Sequence, residues 1–112
     1  MVTPSEALET ITAEVQHHTA DPHWLAENRV TLAGLYSYFS GQLEQILFTK
    51  PDDWNLLRVN EKSDKATDRK YEATENGKKE VIYRQRLKRI EKLSSAMRTM
   101  IDILSGESRQ QM

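Results

Sequence analysis

Residues 82–104, IYRQRLKRIEKLSSAMRTMIDIL, decide the fold. Tyr83, Leu87, Ile90, Ser94, Met97, Ile101 and Leu104 recur at spacings of 4, 3, 4, 3, 4 and 3. That alternation holds one stripe of side chains on one side of an α-helix, the a/d seam of a coiled coil, over three heptads. Ile82, Leu93 and Met100 widen the stripe, and Gly106 supplies a stop. The spacing predicts a helix over about 78–105, roughly 40 Å long at about 1.5 Å per residue. A helix with one apolar stripe has to bury it against another element.

The other element lies upstream. Asp21-Pro22 is a helix start, because the carboxylate accepts from free backbone N–H groups and proline has its φ set for the first helical position. Leu25, Leu32, Tyr36, Phe39, Leu43, Ile46 and Leu47 then line one face, and no proline interrupts before Pro51. A helix over about 22–49 is predicted, equal in length to the first. About 28 residues join the two, so the economical packing is antiparallel, with a crossing near +20°. Thr3-Pro4-Ser5-Glu6 starts a shorter helix over about 4–19, carrying Leu8, Ile11, Val15 and His18. Between the long helices, Lys50-Pro51-Asp52-Asp53 reads as a break. Trp54, Leu56, Leu57 and Val59 form a short apolar cluster that covers the end of the hairpin. Ser63-Asp64 caps a polar helix over about 63–75, which has only Ala66, Tyr71 and Ala73 to bury and is marginal by itself. Asn76-Gly77 is a turn or C-cap signal, or sits within one longer helix. The expected fold is all-α in a single domain, residues 1–112. It is a long antiparallel helical hairpin with a shorter N-terminal helix and a polar helical connector, a three- to four-helix bundle.

Composition narrows the class. The chain has 112 residues and no cysteine, so disulfides and thiolate zinc sites are excluded and a reducing, cytoplasmic setting is expected. Neither a secretory signal nor an apolar run of the roughly 18 residues that span a bilayer is readable, so no membrane role is expected. The net charge of −1 hides a split. Residues 1–53 carry eight acids and two bases, a net of −6, and residues 54–112 carry nine acids and fourteen bases, a net of +5. Either the halves face each other, or the basic half meets an acidic partner.

A second seam runs along the far side of the 22–49 helix: Val30, Gly34, Ser37, Gly41 and Phe48. Glycine inside a helix costs about 1 kcal/mol relative to alanine. Two of them seven residues apart on one face point to another helix lying close. The tight connection at 19–22 is expected to fold the N-terminal helix back along this seam as far as Gly34, leaving Tyr38, Gly41 and Phe48 for a partner chain or for self-association. The alternative is that both glycines are incidental surface residues.

Chemistry is sparse. His17, His18 and His23 cluster with Glu14 and Asp21, a set of types that can ligate zinc. However, adjacent histidines diverge on a helix, Asp21 is occupied as a cap, and histidine near a helix C-terminus is favoured by the dipole. There is no G-x-S-x-G, no H-E-x-x-H, no P-loop and no dinucleotide fingerprint, and the four glycines are scattered. No catalytic residue, metal or cofactor is therefore assigned.

The basic residues define the candidate partner-binding set: Lys62, Lys65, Arg69 and Lys70 in the connector, and Arg84, Lys88, Arg89 and Lys92 on the last helix. Arg84, Lys88 and Lys92 share the side opposite the apolar seam. Phosphate binding needs such charges on one accessible face. No aromatic side chains for base stacking accompany them, and no helix-turn-helix is present. A charged outer face is also what any solvated helix shows.

The stretch from Lys62-Ser63-Asp64-Lys65-Ala66 through Thr74-Glu75-Asn76-Gly77, with the basic heptad helix after it, resembles small helical proteins encoded in bacteriophage and prophage genomes. The resemblance covers about the C-terminal 50 residues and carries over no functional residue. It implies a phage accessory protein that binds a host or phage partner stoichiometrically in the cytoplasm. The expectation is a non-enzymatic interaction protein, binding another protein or itself as a homodimer. The alternative is a nucleic-acid accessory protein contacting phosphates through the basic C-terminal helix.

Overall fold

The structure, a computed structural model, describes residues 2–110, and side chains as far as residue 106. Among the described residues the chain forms four α-helices and no strand: α1 Pro4–Glu14, α2 Pro22–Arg58, α3 Asp64–Glu72 and α4 Glu75–Gln110. A 3-10 turn, Val15–His17, follows α1. The chain is all-α, as the periodicity predicts, and its long helices pack against each other. No helix among the described residues is long and apolar enough to cross a membrane.

The start signals act as read. The Thr3 hydroxyl accepts from the Glu6 N–H at 3.1 Å, Asp21 Oδ1 from the Trp24 N–H at 3.1 Å, and Ser63 Oγ from the Ala66 N–H at 3.1 Å. Each satisfies one of the free donors of a helix N-terminus.

The stops differ from the reading. α1 tightens into its 3-10 turn after Glu14 rather than running to residue 19. Pro51 does not break α2, which continues to Arg58 instead of ending near 49. An interior proline removes one backbone hydrogen bond and costs about 3 kcal/mol. Here tertiary ties flank it. Lys50 Nζ lies 3.0 Å from Glu80 Oε1, and Trp54 Nε1 donates to Asp68 Oδ1 at 2.8 Å. Trp54, Leu56 and Leu57 are thus in the last turn and a half of α2, not a separate piece, and Val59 follows in the turn after it. Gly77 is neither a turn nor a C-cap. The break falls at 73–74, and α4 begins at Glu75. Gly77 is buried in the first turn of α4, where a β-carbon would run into the Tyr71 carbonyl and lie 2.8 Å from Glu72 Cα.

Residues fall into two compact units. The first comprises residues 1–38 and 88–112. Its core is Leu8 and Ile11 of α1, Leu25, Leu32 and Leu35 of α2, and Ile90 and Met97 of α4. Ser94, Ile101 and Leu104 of the heptad seam are half-buried beside them. Fully burying a leucine is worth about 1.5–3 kcal/mol, so this apolar set decides the packing of α1. The Glu9–Arg89 ion pair and the hydrogen bond from the Tyr36 hydroxyl to Glu91 Oε1 at 3.1 Å frame it.

The second unit comprises residues 39–87. Phe39, Leu43, Ile46, Thr67 and Tyr71 are buried, and Tyr83 and Leu87 continue the seam half-buried. Phe39 meets Tyr83 with ring centroids 6.0 Å apart, while Lys50 meets Glu80. The residue numbers rise along α2 as they fall along α4, so the two helices are antiparallel here.

Candidate interaction surfaces

The outer side of α2 carries the most exposed apolar residues. In the first unit Val30 is 75% exposed, and a β-carbon on Gly34 would meet nothing within 4 Å. Ser37 is exposed as well. In the second unit Phe48 is 86% exposed, and the β-carbon direction at Gly41 is equally open. The expectation that the N-terminal helix folds back along Val30 and Gly34 is therefore corrected. Leu8 and Ile11 are α1's apolar pair, and they join Leu25 and Leu32 in the core, so α1 goes where most apolar surface is removed from water. Among the described residues, no other helix of this chain lies against either glycine. Leu56, 72% exposed, and Val59, 81% exposed, extend the apolar side of the second unit. The expectation that Leu56 and Val59 cover the end of the hairpin is thus corrected: α2 passes through Pro51, which carries Leu56 onto the same side as Phe48, and Val59 follows in the turn after Arg58.

A buried polar cluster in the second unit was also missed. Tyr71 is almost wholly buried, with the Lys50 ammonium 5.1 Å from its ring centroid. Its hydroxyl has no hydrogen-bond partner among the described residues. Burial, then the nearby charges of Glu80 and Asp53, pushes the Tyr71 phenol above its ordinary value. Burial would by itself push the Glu80 carboxyl up. The contacts and charges of Lys50 and Arg84 outweigh it and hold the group below its ordinary value. Nothing in a one-dimensional pattern marks Glu80 among sixteen other acids. In the first unit Tyr36 is pushed up by its hydrogen bond to Glu91, then by that carboxylate's charge and by burial.

The basic candidates divide into two kinds. Lys70 pairs with Glu61 at 2.7 Å, Arg84 with Glu80 at 3.1 Å, and Arg89 with Glu9. Lys62, Lys65 and Arg69 in the second unit, and Lys88 and Lys92 in the first, are exposed and form no ion pair with a described residue. Among the described pairs only Glu9–Arg89 joins an acid of residues 1–53 to a lysine or arginine of residues 54–112.

The histidines separate. His18 stacks on Trp24, centroids 4.3 Å apart and rings within 6° of parallel, with Glu14 and Asp21 at 3.8 and 3.7 Å. His23 pairs with Glu27 at 3.0 Å, and His17 is exposed. Among the described residues no three such side chains are placed to hold a metal ion. Two grooves have mixed linings. One, in the first unit, has Ala33, Tyr36, Ile90 and Ser94 along it. The other, in the second unit, lies between Gln45 and Thr49 of α2 and Lys79 and Tyr83 of α4. Comparison with models of known families, with curated proteins and with solved structures finds no match.

Proposed function

We propose that this chain is a non-enzymatic protein-interaction protein, acting stoichiometrically in the cytoplasm, with the outer side of α2 in its second unit as the contact surface. The observation that carries this reading is Phe48. A phenylalanine 86% exposed in mid-helix forgoes roughly 2 kcal/mol of burial. It lies two turns from an open glycine and on the side that Leu56 and Val59 extend. Apolar area gathered on one helix side and left in water is characteristic of recognition surfaces. A phage accessory role, acting on a host or phage protein, belongs to the same proposal.

The test is site-specific photocrosslinking in the producing cell, with the photoreactive residue at Phe48 and, as control, at the exposed Thr31. A discrete protein adduct at 48 and none at 31 is expected. No adduct at 48 overturns the reading.

A second reading, backbone contact with nucleic acid, is favoured by Lys88 and Lys92, unpaired and one turn apart on α4. It predicts binding that weakens steeply with salt and with Lys92→Ala. An apolar contact at Phe48 does neither.

A further inference from the structure

We infer that Asn76-Gly77 is a latent modification site, at which the Asn76 carboxamide becomes a carboxylate only when the junction of α3 and α4 opens. The inference is independent of the α2 surface.

Asparagine followed by glycine is the dipeptide most prone to this reaction, because glycine has no side chain to shield its own nitrogen and the least restricted backbone. No enzyme is needed. The Gly77 nitrogen gives up its proton to solvent and attacks Asn76 Cγ. The Cγ–Nδ2 bond breaks, ammonia leaves, and a succinimide ring remains. Water then opens the ring. Cleavage on the Cγ side gives aspartate. Cleavage at the main-chain carbonyl gives isoaspartate, in which the backbone runs through Cγ and is longer by a methylene. Either way an amide and a water become a carboxylate and an ammonium ion.

The fold holds the reacting atoms apart in three ways. The Gly77 N–H donates to the Thr74 hydroxyl at 3.1 Å, so its proton is held. Asn76 and Gly77 lie in the first turn of α4, and reaching Cγ means turning the peptide between them out of helical geometry. Gly77 is buried against the Tyr71 carbonyl with no room even for a β-carbon, so that peptide has nowhere to turn while α3 is docked. The carboxamide itself is within reach of water. Asn76 is half-buried and lines two grooves, one with Leu56 and Leu57, the other with Gln45 and Thr49. It forms no side-chain hydrogen bond with a described residue.

The two products differ in consequence. Aspartate adds an acid to the first turn of a long helix, where the dipole favours it. Isoaspartate adds a backbone atom where a β-carbon does not fit, so α4 cannot start against α3 again. A junction that stays open long enough to react is thereby locked open.

The full chain is incubated at mildly alkaline pH, folded and in urea, and the digest peptide holding residues 76–77 is weighed for the gain of about 1 Da that the reaction leaves. The unfolded chain is expected to convert at least about tenfold faster than the folded one. Thr74→Ala, checked for helix content by circular dichroism, is expected to convert about fivefold faster than the folded parent, the ~1 kcal/mol of a lost cap at ~1.4 kcal/mol per tenfold. Thr74→Ser keeps the hydroxyl and is expected to keep the parent's rate. The isoaspartate form, separated by chromatography, is expected to lose helix that Asn76→Asp retains. Equal rates in the folded and unfolded parent overturn the protected site, and that comparison needs no variant. Thr74→Ala at the parent's rate overturns the role of the Thr74 hydroxyl. An isoaspartate form as helical as Asn76→Asp overturns the locking.

Discussion

Gly77 of α4 and the backbone carbonyl of Tyr71 are so close that no β-carbon fits between them. The glycine is not there for an unusual φ, since no described glycine has a positive one. It is there because α4 starts against the last turn of α3. Gly77→Ala, normally favourable in a helix by about 1 kcal/mol, is expected to destabilise by about 1–3 kcal/mol as the backbone shifts. Gly34→Ala, with open space at its β-carbon, is expected to stabilise by about 0.5–1 kcal/mol. Urea midpoints measure both, and equal signs for the two variants contradict this account.

The Lys50–Glu80 pair gives stability a pH dependence of known sign. The folded Glu80 carboxyl is held below its ordinary 4.5. Its contribution is therefore fully present above 4.5 and is lost as pH falls through the folded value. Lys50→Met strands a largely buried carboxylate and is expected to cost about 2 kcal/mol at neutral pH. Arg84 stays to share the charge, so the cost is below that of a fully buried pair. The gap between variant and parent narrows as acid protonates Glu80. A pH-independent gap in thermal midpoint counts against the pairing.

Tyr71 separates ring from hydroxyl. Removing an unsatisfied buried polar group is neutral or favourable, so Tyr71→Phe is expected to change stability by under about 0.5 kcal/mol or to raise it. Tyr71→Ala is expected to cost about 3–5 kcal/mol. The raised phenol also fixes a sign at alkaline pH. The unfolded chain releases that proton first, so stability falls as pH rises from the ordinary phenol value of 10.0 toward the folded one. Absorbance titration of the parent and Tyr71→Phe isolates the late-titrating ring.

Beyond Pro51, α2 depends on Trp54. Trp54→Phe keeps an aromatic ring in place of the indole and loses the bond to Asp68, a charge-assisted but exposed one worth about 1 kcal/mol. The loss is expected to be local. Amide exchange should quicken over residues 52–58 and stay unchanged at Leu32, while the global midpoint moves little.

What could be read in advance follows the physics of each signal. Tyr83, Leu87, Ile90 and Met97 were legible because one helix period repeated over three heptads averages out local noise. The spacing selects Tyr36 over Leu35, its neighbour in sequence. The structure buries Leu35 and leaves Tyr36 at the edge, where its hydroxyl reaches Glu91. Pro51 and Gly77 misled because their local preferences were outweighed by contacts between different helices: Lys50 of α2 with Glu80 of α4, and Tyr71 of α3 with Gly77 of α4. Among the surface candidates, sequence named the open side of α2 through Val30, Gly34, Gly41 and Phe48, but assigned half of it to α1. It named the basic residues without telling Lys92, unpaired, from Arg89, paired with Glu9. Pairing of exposed charges depends on which helix lies alongside, and periodicity does not contain that.

Thr74 has a wider consequence. Its hydroxyl donates to the Tyr71 carbonyl and accepts from the Gly77 N–H, so one oxygen closes α3 and opens α4. Apart from the Tyr71 ring, α3 has almost no apolar surface of its own, yet it cannot fray at its C-terminus without uncapping a long helix. The two therefore open as one cooperative unit. Protection from amide exchange in α3 should report the free energy of releasing the start of α4, far more than a nine-residue polar helix commands alone.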